Sequence, residues 1–178
     1  TMHGDCLELL MPYNPGNSCD QPDATALSDA ASRKAAGYAA VFTTQGSADL
    51  NALRSHVAAG TPIILAVPVY RSFFDHLTGT IPVHRDGETF YGGHALLLVG
   101  YDAGGFWALN SWGPTSGQDG FVYLSNAFVQ ADAWEGWIIT DLVGAPATLF
   151  VDVYDPAGQP VIGGSVSLWR DGIFVLEK

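Results

Sequence analysis

The chain has 178 residues, with 18 acids against 7 bases and a formal charge of −11. That length holds one ordinary domain with part of a second, and the acidic balance argues against nucleic acid or an anionic membrane surface as partner. Apolar residues make up 48% of the chain, enough for a core, yet no apolar run approaches the ~20 residues that span a bilayer.

From the amino terminus, residues 1–36 are rich in Pro, Asp, Asn and Ala and show no strand alternation. They read as an extended lead-in and a loop, then a short polar helix from Ala24 to about Lys34. Cys6 and Cys19 enclose a loop containing Pro12, Pro15 and Gly16; they can form a disulfide, worth roughly 3 kcal/mol in the chain-entropy view, or stay reduced. Aromatic and β-branched residues from Gly37 to Thr43 predict a strand. Ser47 is a candidate N-cap for a helix with Leu50, Leu53 and Val57 on one face and Gly60 as its stop. A buried strand follows over Pro62 to Val69, then a turn of helix over Arg71 to Leu77 and a polar connection to Tyr91. His76 and His84 lie there without a carboxylate or cysteine at ligand spacing in the sequence, so neither a metal site nor a cofactor is expected.

Next comes Gly92-Gly-His-Ala-Leu-Leu-Leu-Val-Gly-Tyr-Asp102, the turn Ala103-Gly104-Gly105, and Phe106-Trp-Ala-Leu-Asn-Ser-Trp-Gly113. Two apolar runs about a small, acidic turn make a hairpin. Pairing about that turn sets position 94 roughly opposite 114 and brings Asn110 within a few residues of His94. An Asn amide oxygen can accept one imidazole N–H and so leave the other nitrogen free as a base. Trp112 points to the same face as Asn110 and can shield the pair from water. Strands over Gly120–Leu124 and Trp134–Asp141 complete the pattern, with Trp134 and Trp137 read as core. The architecture expected is α+β, an antiparallel, barrel-like sheet with one or two helices outside.

Gly-Gly-His-Ala followed sixteen residues later by Asn-Ser-Trp-Gly resembles the second half of the papain-like cysteine peptidases, particularly bacterial ones. The likeness extends to Glu8 and Met11-Pro12-Tyr13, to Gly60-Thr-Pro-Ile-Ile64, to Val69-Tyr-Arg-Ser-Phe73 and to Gly117–Leu124. It covers residues 4–141. It implies the β-rich half of the papain-like fold and a peptide or protein substrate. It also implies His94 as acid–base, Asn110 as its orienter and Trp112 as their shield. Ile63, Gly92 and Gly93 match positions lining the main specificity pocket, where an apolar wall without an acid suits an aliphatic or aromatic side chain. One departure is Ser116, which stands where the family usually has a second Trp and thins the cover on the leaving-group side.

The family's attacking cysteine sits in a Cys-Gly-(Ser/Ala)-Cys-(Trp/Tyr) stretch roughly 130 residues before its histidine, a spacing taken from papain. Only 93 residues precede His94, and neither Cys6 nor Cys19 stands in that context. The oxyanion glutamine is missing as well. The expectation is a fragment: the carboxy-terminal part of a peptidase domain over 1–141, with the nucleophile and the amino-terminal half upstream of residue 1. The alternative is a papain-fold binding or surface module without catalysis. Residues 142–146 read as a linker. Residues 147–178, with a turn at Asp155-Pro-Ala-Gly158, resemble the cut-short start of a carboxypeptidase-regulatory or immunoglobulin-like β-sandwich. With only Lys34 and Lys178 as lysines, the composition suits an extracellular or cell-surface setting.

Overall fold

A computed structural model describes residues 4–12, 14, 16 and 19–143, with strand pieces at 148–149, 166–168 and 174–176. The chain divides into two compact units, Tyr38–Ile139 and Thr1–Gly37 with Thr140–Lys178. In chain order the elements are α1 (Ala24–Ala30), β1 (Lys34–Phe42), α2 (Leu50–Ala58), β2 (Ile63–Tyr70), α3 (Arg71–Asp75), β3 (Thr80–Ile81), β4 (Phe90–Tyr101), β5 (Gly105–Leu109), β6 (Phe121–Ser125), α4 (Asn126–Ala131) and β7 (Glu135–Val143). Short strands β8 (Thr148–Leu149), β9 (Val166–Leu168) and β10 (Phe174–Leu176) form a separate antiparallel sheet. Leu142 and Val143 end β7 rather than open a linker. The rest of the proposed linker, Tyr13 and most of 147–178 lie outside the described residues.

The seven-stranded sheet has the order β1-β7-β2-β4-β5-β6-β3 among the described residues. β2 pairs antiparallel with β4 and β7, as do β4 with β5 and β5 with β6, whereas β3 pairs parallel with β6, which the sequence pattern does not predict. The core lies on one face. On β2 the side chains of Ile63, Leu65, Val67 and Val69 are buried; on β4 Leu96 and Leu98, and on β5 Phe106 and Ala108. Period-2 alternation puts each set on one side of its strand. Leu53 of α2 and Phe128 and Val129 of α4 close over that face from outside. The cap of α2 is Asp49, not Ser47: the Asp49 carboxylate accepts from the N–H of Asn51 and Ala52, whereas the Ser47 hydroxyl donates back to the Thr44 carbonyl. An ionised acceptor beside the first helical N–H groups also meets the positive end of the helix dipole. Trp134 and Trp137 are only half-buried, against Phe90 and Tyr38 respectively.

Candidate active site

Sheet parity delivers the site. β2 and β4 pair Leu65 with Leu96 and Val67 with His94, so the imidazole is the next inward-facing side chain beyond the packed Leu96 and Leu98. Asn110, one residue past the end of β5, continues the parity of Phe106 and Ala108 and is 7% exposed. A β-bulge between Leu98 and Gly100 moves the hairpin register to Leu97 opposite Leu109. Continued along β4, that register sets His94 level with Trp112 rather than with position 114. Beyond β5 the backbone is held in place by the Asn110 N–H, which donates to the Gly120 carbonyl at 2.9 Å. The turn that presents that carbonyl requires glycine at 117: its φ is +64°, and a Cβ would lie 2.3 Å from the Phe121 carbonyl oxygen.

His94 Nε2 lies 2.8 Å from Asn110 Oδ1. The same oxygen accepts the Ser111 N–H at 2.8 Å. A backbone N–H can only donate, so it fixes which way the Asn110 amide faces. With Oδ1 turned to the ring, Nε2 must carry the proton, and Nδ1 is left as the imidazole's free lone pair. Asn110 Nδ2 is buried with no acceptor among the described residues, a cost that the two bonds on Oδ1 offset. The Trp112 ring stacks on the imidazole, with centroids 4.8 Å apart and planes 23° apart.

Two residues to which the sequence assigned no role at the site, Phe73 of the Val69–Phe73 stretch and its neighbour Phe74, complete the surroundings. Phe73, buried in α3, meets His94 edge-on at 6.4 Å and Trp112 at 5.8 Å. Phe74, 41% exposed, lies parallel to Trp112 at 5.6 Å and takes the Tyr91 ring edge-on at 5.2 Å. Both rings thus cover the imidazole and Trp112 from α3. Five residues are too few for a helical period to announce an apolar face.

The three pocket candidates separate. Ile63 is fully buried in the core, paired with Leu98, and lines no open surface. Its odd position on β2 puts it on the inner face, while Ile64 and Ala66 face outward. Gly92 and Gly93 do precede the imidazole on β4. At Gly93 a Cβ would lie 2.7 Å from the Trp134 ring, so a larger residue would push that ring away from the backbone beside His94. The register also places Glu135 opposite Ala66, and Ala66 opposite Ala95. Residues opposite in a ladder share a face, so Glu135 joins Ala66 and Ala95 on the outward face of the sheet beside Gly93, not on the face that His94 takes. Cys6, half-buried, and Cys19, exposed, are both free thiols and do not form the disulfide that their spacing allows. His84 does find a carboxylate, Asp132, from 48 residues away, but no group of three or more metal-ligating side chains occurs among the described residues. No helix among them is long and apolar enough to cross a membrane.

The family model for papain family cysteine proteases matches residues 2–133. A cathepsin B-like CP3 of Giardia intestinalis is 34% identical over 92 residues, 49% of this chain and 30% of that protein. Among solved structures, xylellain, a cysteine protease from Xylella fastidiosa, superposes with a TM-score of 0.66 at 26% identity, over 80% of this chain and 57% of that one. The cysteine protease and lectin-like domains of Cwp84, a surface layer associated protein of Clostridium difficile, share the fold with a TM-score of 0.56 at 13% identity, over 80% of this chain and 34% of theirs. The chain thus spans about a third of the curated relative it matches and just over half of xylellain.

Proposed function

This chain belongs to the papain family of cysteine proteases, and we propose that it carries the acid–base half of a cysteine peptidase site. The observation that carries this reading is the doubly bonded Asn110 oxygen, which commits His94 to one tautomer with Nδ1 free. In such a site a thiol gives its proton to Nδ1, and its pKa falls from ~8.5 to roughly 3–4 in papain itself. The thiolate attacks the peptide carbonyl, and the imidazolium returns the proton to the leaving amine. Neither Cys6 nor Cys19 has the sequence context of such a thiol. We therefore assign the thiol and the oxyanion donor to a segment outside these 178 residues. Residues 147–178 we assign to an accessory β domain, on their alternating pattern. The acidic, lysine-poor composition supports an extracellular or cell-surface setting.

The 178-residue chain alone should not hydrolyse peptides. Purified chain incubated with a fluorogenic peptide library should give the rate of buffer. Turnover that persists in a Cys6→Ser, Cys19→Ser double variant would mean that another nucleophile acts.

The wall of Ala66, Ala95 and Glu135 beside Gly93 suits a basic side chain on the acyl side of the scissile bond as well as an apolar one. In the full-length protein, Glu135→Ala should lower kcat/KM for an arginine at that position about two- to fivefold relative to phenylalanine, as expected for losing one partly exposed charge pair of ~0.4–1 kcal/mol. An unchanged ratio would remove Glu135 from the pocket.

A further inference from the structure

Among the described residues Asp132 is the one buried charged side chain, at 1% exposure, and the reaction above makes no use of it. Burying a carboxylate is costly unless its oxygens are paired and hydrogen-bonded. Here both are engaged by one residue. The backbone N–H of His84 donates to Oδ2 at 2.9 Å, and the His84 imidazole Nδ1 lies 2.8 Å from Oδ1. On its flat side the His84 ring stacks against Tyr70, with centroids 4.1 Å apart and planes 10° apart.

His84 belongs to the 82–89 connection between β3 and β4, and that connection holds α3. The α3 N-cap, Tyr70, offers no side-chain bond. Instead the N–H of Arg71 donates to the Thr89 carbonyl at 3.1 Å, and the N–H of Ser72 to the Glu88 carboxylate at 3.0 Å. Glu88 also accepts the Arg85 N–H at 3.0 Å. Bonds from Ser72, then from Arg85, keep its carboxyl below the usual range and hence ionised. A run of contacts therefore leads from Asp132 through His84 and Arg85 to Glu88, then to Ser72 and the neighbouring Phe73. Phe73 and Phe74 are the rings that meet His94 and Trp112.

We propose that His84 and Asp132 are positioning residues for His94: they anchor the 82–89 connection to the end of α4 and thereby hold the α3 aromatic rings against the imidazole and Trp112. This rests on the reading that His94 is the reacting base. His84 moves no proton in it. Its contribution is geometric, and a displacement near 1 Å can cost up to ~10²-fold in rate.

The test separates the two claims. In the folded 178-residue chain, His84→Ala should shift the ring resonances of His94 and speed exchange of the Trp112 indole N–H about tenfold by looser packing, although His84 touches neither ring. Asp132→Asn, which keeps one acceptor for the two donors, should move the same resonances in the same direction by less. His56→Ala, a histidine lost from α2, should leave them in place. In the full-length protein His84→Ala should lower kcat about tenfold and leave KM within about twofold, the pattern of a misplaced reacting group. Unmoved His94 and Trp112 resonances in folded His84→Ala chain would overturn the proposal. Failure of the His94 reading shows elsewhere, as full activity in His94→Ala protein.

Discussion

His94→Ala in the full-length protein should reduce peptide hydrolysis by on the order of 10⁴-fold, the upper range for removing a general acid–base. Two losses combine in that figure. Without the imidazole no base takes the thiol proton, so the thiolate population near neutral pH drops to that of an ordinary cysteine. Without an imidazolium, the leaving amine must depart unprotonated. The first loss can be seen alone by following thiol alkylation against pH. The wild type should react well below pH 7, and His94→Ala should need alkaline conditions. Alkylation of the variant at pH 5 as fast as wild type would show that His94 is not the thiol's partner. The peptidase reading would then fail. Misfolding is a poor alternative explanation, because His94 is only half-buried and its strand is secured by Leu96 and Leu98 below it.

What the sequence made visible about this site follows from strand periodicity. His94, Leu96 and Leu98 share a parity, as do Phe106, Ala108 and Asn110, so two runs about one turn already bring histidine and asparagine to one face. What stayed hidden depends on register. The bulge at Val99 shifts the hairpin and sets His94 level with Trp112; Gly100 beside it is the residue type that often marks a bulge, but it does not say in which direction the register moves. Ile63 shows the same limit from the other side. The family resemblance locates its strand, but the alternation of Ile63, Leu65, Val67 and Val69 turns it inward, leaving Ile64 and Ala66 toward the open face. Glu135 joins Ala66 on that face only because β7 and β4 flank β2 from opposite sides. β3, at two residues, and α4, at six, are too short to carry a period. His84 and Asp132 lie 48 positions apart, and no local pattern links them.

Asn110 should separate orientation from charge. Asn110→Ala removes the acceptor of both the His94 Nε2–H and the Ser111 N–H, so the ring can turn and its outer nitrogen loses a fixed partner. Activity should fall by about 10–10³-fold, less than for His94, since the proton carrier itself remains. Asn110→Asp behaves differently. A carboxylate keeps both acceptor contacts and removes the buried amide NH₂ that has no partner among the described residues. It also places a negative charge against the ring at 2.8 Å, on a residue that is 7% exposed. An opposite charge at that distance favours the protonated imidazole by roughly 1–3 pH units. The alkaline limb of kcat/KM should therefore move to higher pH by about one unit or more, while Asn110→Ala loses rate without gaining that limb. The measurement is a pH profile of kcat/KM for the three proteins on one substrate. If Asn110→Asp and Asn110→Ala gave profiles of the same shape, Asn110 would not bond the ring that moves the proton. The assignment of Nδ1 as the free nitrogen would fall with it.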